Sequence, residues 1–233
     1  MIIERTSRMA EINVMASAAL KEAYLELVPQ FERATGHKVV TTWAPTVQMM
    51  SRLKGGEAID LVILPAAMLD ELVRLGHIVS RTDLARSGVG VAVKAGAPRP
   101  DISSGEALKR TVLAARSIVY STGPSGIYLV GLFQRMGIAN AIKGKVMQVQ
   151  GEPAGASVAR GEAELGFQQV SELLPVSGID LIGPLPPDVQ EITIISAGLH
   201  AKAKELDAAK ALVKFFKEPA AAPVIRKKGL EPA

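Results

Sequence analysis

Short apolar runs alternate with amphipathic segments from the start of this chain. The run INVMA precedes a segment whose apolar residues recur at the spacing of one helix face, namely Leu20, Ala23, Tyr24, Leu27 and Phe31. Two more strand-like runs, KVVTTW and IDLVIL, enclose the helical segment TVQMMSRLK, which ends at a pair of glycines. This order favours parallel strands with helices on both faces of a sheet. The sequence therefore predicts an α/β fold.

The rest of the chain continues this pattern. Six further runs are short and rich in Val and Ile, namely VGVAV, SIVY, KVMQV, ELGF, IDLIG and EITIIS. Two later helices carry apolar faces, Leu129, Leu132, Phe133 and Met136 in one and Ala209, Leu212, Val213 and Phe216 in the other. A chain of 233 residues can bury its core as one large domain or as two lobes. If there are two lobes, we expect the chain to cross between them near GVGVAV and EITIIS.

Composition excludes several kinds of chemistry. The chain has no cysteine, which excludes disulfides, thiolate metal sites and cysteine nucleophiles. The histidines His37, His77 and His200 lack the spacing of metal ligands on one helix, and we expect ordinary surface or packing roles for them. The segment GVGVAV lacks the third glycine of a dinucleotide-binding loop and precedes a strand. We expect neither a metal nor a cofactor.

Charge and hydropathy limit the partners. A net charge of +4 is spread along the chain and aromatic residues make up only 4% of it, so we expect no nucleic-acid partner. No run approaches the roughly 20 apolar residues of a membrane span, so we expect no membrane insertion. Charges at Glu4, Arg5, Arg8 and Glu11 interrupt the position where a signal peptide is apolar. No leader is visible, which leaves a cytoplasmic location and the earlier removal of a leader as alternatives.

Three strand-to-helix elbows carry small hydroxyl residues. They are MASAAL with Ser17, WAPTVQ with Thr46 and YSTGPSG with Ser125. A helix N-terminus leaves about four backbone N–H groups unpaired and carries roughly half a positive charge, so converging elbows make an anion site. The alternative is that each hydroxyl only caps its own helix. In the first interpretation STGPSG directs the N–H groups around Ser125 and Gly126 into a cleft, with Ser121 and Thr122 at its rim.

Four stretches together carry a family resemblance. They are the opening segment from INVMA to DLVILPA, then GPSGIYLVGLFQRMGI, SVARGEAELGFQQVSEL and FFKEPAAAPVIRKKGLEP. In order and spacing they resemble the periplasmic molybdate-binding proteins, a subgroup of the solute-binding proteins of ABC importers, over residues 11–232. The resemblance implies a two-lobed periplasmic-binding-protein-like fold with the ligand cleft between the lobes. We expect one lobe to comprise residues 10–87 and 195–233 and the other residues 88–194.

The resemblance also implies a set of site residues. The first-elbow hydroxyl position is occupied by Ala19, with Ser17 two residues earlier, whereas Thr46 keeps the hydroxyl of the second elbow. Backbone donors fall at Ser125 and near Gly151 and Glu152, and Gln169, next to Gln168, stands where a tyrosine completes the oxyanion cage. Losing a partner of a buried anion costs on the order of 1 to 3 kcal/mol. We therefore expect a retuned pocket that takes a small organic carboxylate in preference to molybdate or tungstate.

Three functions follow as alternatives. The first is a solute-binding protein that captures a small anion by lobe closure and works with a membrane permease, which implies a periplasmic location. The second is an isomerase of a small polycarboxylate, because some relatives of this group resemble aconitate isomerase. Its base would be Glu152, Tyr120 or His200, although Glu152 could instead cap a helix, Tyr120 pack at a strand end and His200 lie outside the cleft. The third is a cytoplasmic sensor with the same cleft.

Overall fold

The computed structural model describes residues 9–233, arranged as strands and helices in alternation. Glu4, Arg5 and Arg8, on which the leader argument partly rests, lie outside the described residues. The strands are β1 (Glu11–Ala16), β2 (Lys38–Trp43), β3 (Leu61–Pro65), β4 (Ile78–Lys94), β5 (Ile118–Ser121), β6 (Val146–Val149), β7 (Leu165–Gln169), β8 (Ile179–Pro184), β9 (Ile192–His200) and β10 (Glu231–Pro232). The helices are α1 (Lys21–Thr35), α2 (Thr46–Lys54), α3 (Ala66–Arg74), α4 (Gly105–Ala114), α5 (Pro124–Arg135), α6 (Ala139–Ile142), α7 (Ala154–Ala159), α8 (Val170–Leu173), α9 (Leu206–Phe216) and α10 (Ala221–Lys227).

Parallel strands form one end of each of two sheet regions. β1 lies between β2 and β3, and β5 lies between β6 and β7, all in parallel. Between these regions the ladders are antiparallel, because β9 pairs with β3 and β4, and β4 pairs with β7 and β8. The strand order along the main path is β2-β1-β3-β9-β4-β7-β5-β6. The sequence did not predict the antiparallel ladders, since side chains alternate with a period of two whichever way a neighbour runs.

The long strand β4 belongs to both regions. Its pairing with β9 ends at Gly88, opposite Ile192, and its pairing with β7 begins at Val89, opposite Gln169. The sequence predicted only the apolar run VGVAV as a strand, because the preceding residues 79–87 are mostly polar. The lobe boundaries at 87/88 and 194/195 stay a prediction. The change of partner between Gly88 and Val89 lies next to the first of these boundaries.

Each of the two sheet regions has its own apolar core cluster. Tyr24 and Phe31 of α1 pack with Phe216 of α9 against the β1, β3 and β9 side, and all three rings are buried. Phe133 of α5 packs with Phe167 of β7 in the other region. The predicted core faces of α5 and α9 are therefore buried, except that Met136 is only partly covered.

Two negative findings apply to residues 9–233. Within that range no helix combines the length and the apolar character needed to cross a membrane. The same residues contain no group of three or more His, Asp or Glu side chains arranged to hold a metal ion.

Candidate functional site

A cavity of about 340 Å³, called the cleft below, lies where the elbows of both sheet regions meet. Its walls come from the ends of β1, β2, β3, β5, β6 and β7 and from the start of the segments that follow. They are formed by Ser17, Ala18, Ala19, Lys21, Glu22, residues 43–47, Pro65, residues 121–124, residues 149–153, Gln168, Gln169, Ser171, Glu172, Pro175 and Thr193. The structure thus brings together eight of the ten predicted ligand-binding residues, namely Ser17, Ala19, Thr46, Ser121, Thr122, Gly151, Gln168 and Gln169.

Two helices, α2 and α5, begin at the wall of the cleft without side-chain caps. The N-cap of α2 is Pro45 and that of α5 is Gly123, and neither supplies a capping hydrogen bond. By contrast, α4 begins away from the cleft and is capped by Ser104, whose Oγ accepts from the Ala107 N–H at 3.1 Å. The capping alternative therefore fails for Thr46, which is the first residue of α2 rather than its cap. Thr46 and Val47, in the first turn of α2, line the cleft, so this helix presents its positive end there. The first turn of α5 begins with Pro124, which has no N–H.

Ser17 is the one hydroxyl of the wall that is buried and unpaired among residues 9–233. Its side chain is 4% exposed and its Oγ has no hydrogen-bond partner in the described part of the chain. It occupies the N-cap of a short 3-10 turn, Ala18–Leu20, yet makes no capping bond, while its own N–H donates to the Ile63 carbonyl at 3.0 Å. Buried polar groups are normally paired, so this hydroxyl is a candidate ligand contact.

The elbow before α5 divides its residues between the cleft and the core. Ser121 and Thr122 line the cleft as predicted, and the Thr122 N–H donates to the Val149 carbonyl at 3.0 Å. Ser125 and Gly126 are buried and lie outside the cavity wall. A Cβ on Gly126 would overlap the Ser121 carbonyl oxygen and lie 2.8 Å from the carbonyl carbon. Gly126 therefore lets α5 pack closely on β5, a role that the sequence did not distinguish from ligand binding.

The Gln169 side chain forms hydrogen bonds with the strands behind the cleft. In the amide orientation that satisfies both its atoms, Nε2 donates to the Ser87 and Gly88 carbonyl oxygens at 3.2 Å. Oε1 then accepts from the Thr193 hydroxyl at 2.9 Å. The residue predicted to replace the cage tyrosine thus ties β7 to the point where β4 changes partner and to β9.

Gln168 forms a fixed link to an acidic side chain. Its Oε1 accepts from the Ala154 N–H at the start of α7 at 2.7 Å, so its Nε2 is directed to Glu172 Oε1 at 3.0 Å. Glu172 belongs to α8, is half-buried and lines the cleft. Desolvation raises the pKa of Glu172 to about 7, against the opposing effect of hydrogen bonds from the Gln168 side chain and the Gln169 backbone.

Glu172 was not among the site residues that the sequence predicted. A single acidic residue near the start of a short helical segment is typical of a solvated helix end, and nothing local distinguishes it. The nearest signal in the sequence is Gln168 four residues earlier, but the link between the two depends on the turn from β7 into α8.

The bases proposed from the sequence have other surroundings. Glu152 lines the cleft, but both its carboxylate oxygens accept from the Arg160 guanidinium at 3.1 Å. Tyr120 is 5% exposed, packs against Phe133 and lies outside the cavity wall, and burial raises its pKa. His200 also lies outside the wall, where its Nδ1 accepts from the Lys202 N–H and burial lowers its pKa.

The charged groups of the wall are one lysine and three glutamates. Lys21 Nζ lies 5.6 Å from the centroid of the Trp43 ring, a cation–π contact at the edge of the cleft. Glu22, Glu152 and Glu172 are the acidic residues, and Glu152 forms an ion pair with Arg160, which also pairs with Glu162. An anion in the cleft would therefore be held by backbone N–H groups, hydroxyls and Lys21.

The chain is similar to several known proteins. Residues 12–231 match the family described as bacterial extracellular solute-binding protein. The chain is 39% identical over 229 residues to aconitate isomerase from Pseudomonas sp., covering 95% of this chain and 87% of that protein. It is 28% identical over 235 residues to the molybdate-binding protein ModA of Azotobacter vinelandii, covering 94% and 89%.

A solved structure confirms the fold. The periplasmic molybdate-binding protein of Azotobacter vinelandii superposes with a TM-score of 0.78 at 18% identity, over 94% of this chain and 98% of that one. The predicted α/β, periplasmic-binding-protein-like fold and the resemblance to the molybdate-binding group are thus confirmed.

Proposed function

Since the chain belongs to the family of bacterial extracellular solute-binding proteins, we propose that its cleft binds a small organic polycarboxylate of the aconitate type in preference to a tetrahedral oxyanion. The observation that carries the proposal is a cavity of about 340 Å³ in which the uncapped N-terminus of α2, Lys21 and the Ser17 hydroxyl, unpaired among residues 9–233, come together.

The donors support an anionic ligand. The first turn of α2 lines the cleft with Thr46 and Val47, so one carboxylate group of a ligand can meet this helix N-terminus. Ser17 adds a hydroxyl that has no other partner among residues 9–233. Lys21 supplies a positive charge on a flexible side chain, which suits a third carboxylate at the edge of the cleft.

The size of the cleft supports a ligand larger than molybdate. Water occupies about 30 Å³ per molecule in the liquid, so 340 Å³ corresponds to about eleven water-sized groups. Aconitate has about a dozen non-hydrogen atoms, whereas a tetrahedral oxyanion has about five. Cavities of small-molecule sites span roughly 300–1,000 Å³, and this one lies at the lower end of that range.

Two positions of the oxyanion cage also favour a carboxylate. Ala19 has no side-chain donor, and Gln169 already uses its amide on Ser87, Gly88 and Thr193. A compact oxyanion that loses two donors in a buried cage loses on the order of 1 to 3 kcal/mol for each. The higher identity to a protein named for aconitate than to a molybdate-binding protein points the same way.

A ligand panel tests the proposal. We would measure the melting temperature of the purified protein with trans-aconitate, cis-aconitate, citrate and tricarballylate, and with molybdate, tungstate, sulfate and phosphate. A ligand present at 100 times its Kd adds about 2.7 kcal/mol, which raises the Tm of a chain of this size by roughly 5–10 °C. A shift with the carboxylates is expected, and a shift with molybdate or tungstate alone would overturn the proposal.

As a binding protein, the chain would work outside the cytoplasmic membrane and deliver its ligand to an importer permease. The family description as extracellular supports this location. A transport assay with labelled trans-aconitate in cells with and without the protein would test it, and equal uptake in both would count against it.

A second candidate function is isomerisation of the bound aconitate. One specific observation favours it, namely a carboxyl side chain, Glu172, in the wall of a cleft otherwise suited to anions. The 39% identity to aconitate isomerase supports the same function. Proton NMR of trans-aconitate incubated with the protein would detect cis-aconitate, and an unchanged spectrum with tight binding would favour the passive binding protein.

A further inference from the structure

Glu172 is held toward the cleft by a chain of two hydrogen bonds. The Ala154 N–H fixes the Gln168 carbonyl oxygen at 2.7 Å, and the Gln168 amide nitrogen then donates to Glu172 Oε1 at 3.0 Å. Since Ala154 begins α7 and Glu172 belongs to α8, this chain joins two separate wall segments. Glu172 is thus a positioned group with a restricted orientation.

Such a carboxylate is unfavourable for passive anion binding. The charged groups that share the cleft with it are Lys21, Glu22 and Glu152, and Lys227 and Lys228 flank the adjoining groove beside Ser171 and Pro175. Glu152 is paired with Arg160 and Lys228 with Glu26, so neither pair neutralises Glu172. An ionised Glu172 would repel each carboxylate of the ligand, which suggests a role in chemistry.

We propose that Glu172 is the catalytic residue that carries the proton in a 1,3-shift across bound aconitate, and that Gln168 is its positioning residue. This inference rests on the isomerase function proposed above. Sequence reasoning had pointed to Glu152, Tyr120 or His200 for this role.

The proposed step balances without any other reactant. The Glu172 carboxylate takes a proton from the methylene carbon, and the electron pair of that C–H bond enters the allylic system conjugated with the carboxylates. The double bond moves to the neighbouring carbon pair, and the carbon that was vinylic receives the proton from Glu172. Glu172 ends ionised, as it began. The first-turn N–H groups of α2, the Ser17 hydroxyl and Lys21 would stabilise the charge on the carboxylate oxygens.

The acidity of Glu172 suits both halves of this step. One group must accept a proton and then return it, which is most efficient when its pKa lies near the working pH. Desolvation raises the pKa of Glu172 to about 7, so both protonation states are populated at neutral pH.

The test compares matched Glu→Gln variants by proton NMR of trans-aconitate. Glu172→Gln keeps the shape of the side chain and removes its basicity, and we expect the isomerisation rate to fall by roughly 10²- to 10⁴-fold. Binding of trans-aconitate, measured by calorimetry, should be unchanged or tighter because a negative charge is removed. Glu162→Gln, which makes the same substitution at a partner of Arg160 outside the cavity wall, serves as the control and should keep the wild-type rate.

Each outcome separates the inference from the function on which it rests. A wild-type protein that isomerises, together with a Glu172→Gln variant within threefold of its rate, overturns the role of Glu172 and leaves the isomerase function standing. A loss of rate in Glu152→Gln and not in Glu172→Gln overturns it in favour of Glu152. A wild-type protein that binds trans-aconitate without isomerising it overturns both the inference and the isomerase function but leaves the binding function standing.

A pH profile tests the same role without depending on the folding of Glu172→Gln. The wild-type rate should fall as the pH drops below about 7, because protonation removes the base. Gln168→Leu removes a hydrogen bond that lowers the pKa of Glu172, so this acid limb should move to higher pH. If Gln168 is merely structural, its loss would change the rate but leave the acid limb of the pH–rate profile at the same pH. That result would overturn the positioning role.

Discussion

Replacing Ser17 by alanine should separate ligand binding from stability. The Ser17 Oγ is buried without a partner among residues 9–233, so the folded protein bears the cost of desolvating it. A buried hydroxyl without a hydrogen bond costs about 1–3 kcal/mol in mutational data. Ser17→Ala removes that cost and loses no internal hydrogen bond, so we expect the empty protein to gain up to about 1 kcal/mol.

The matched control is another serine at a helix start. Ser104 caps α4 by accepting from the Ala107 N–H at 3.1 Å, so Ser104→Ala should destabilise the protein by about 1 kcal/mol. For a chain of this size, 1 kcal/mol corresponds to about 2–4 °C in Tm. The two Ser→Ala changes should therefore move Tm in opposite directions.

Ligand affinity should distinguish the two variants a second time. A hydrogen bond to a charged group contributes about 1.5–3 kcal/mol, so Ser17→Ala should weaken trans-aconitate binding by at least about tenfold, whereas Ser104→Ala should leave it unchanged. Calorimetric unfolding of the empty protein and isothermal titration with trans-aconitate measure both effects. If Ser17→Ala lowers Tm as much as Ser104→Ala and leaves the affinity unchanged, the hydroxyl is structural and the reasoning is wrong.

Two further changes test the packing and the electrostatics of the cleft. Gly126→Ala would place a Cβ against the Ser121 carbonyl, which is part of the backbone and cannot move freely. We therefore expect the free energy of unfolding to fall by about 3 kcal/mol or more and the Tm by roughly 6–12 °C. An unchanged Tm in a thermal melt would contradict the close contact. Glu172 has a pKa of about 7 when folded, above the ordinary value of 4.5, so its contribution to stability is present below pH 4.5 and is lost as the pH rises through 7. Glu172→Gln cannot ionise, so its free energy of unfolding relative to wild type should be about equal near pH 5 and higher near pH 8, by about 1–2 kcal/mol after allowing for partial exposure. This corresponds to a Tm higher by roughly 2–8 °C, and a constant difference in Tm between pH 5 and pH 8 would rule out the raised pKa.

Local patterns in the sequence were sufficient for the elements and for much of the cleft. The helical spacing of Leu129, Leu132 and Phe133 correctly predicted the buried face of α5, because a helix buries one face whatever packs on it. The strand-to-helix elbows brought Ser17 and Thr46 to the cleft wall, since the carboxyl ends of parallel strands meet at one edge of a sheet.

Other features depended on neighbours that are distant in the chain. The position of Gln169 in the sequence predicts a ligand donor. In the structure its amide instead forms hydrogen bonds with Ser87, Gly88 and Thr193 on two other strands. The sequence predicts Ser125 and Gly126 as part of the cleft. In the structure the first turn of α5 packs them against β5.

By itself the sequence determined the order of strands and helices, the buried faces and the elbows that line the cleft, because each depends on the pattern of a short segment. Only the tertiary structure decided which polar groups remain available in that cleft. Glu172 becomes a group with a pKa of about 7 because the residues packed around it exclude water. Ser17 stays unpaired because none of residues 9–233 offers its Oγ a hydrogen bond. Desolvation and hydrogen-bond satisfaction are properties of the assembled surroundings, and the identity of a residue does not record them.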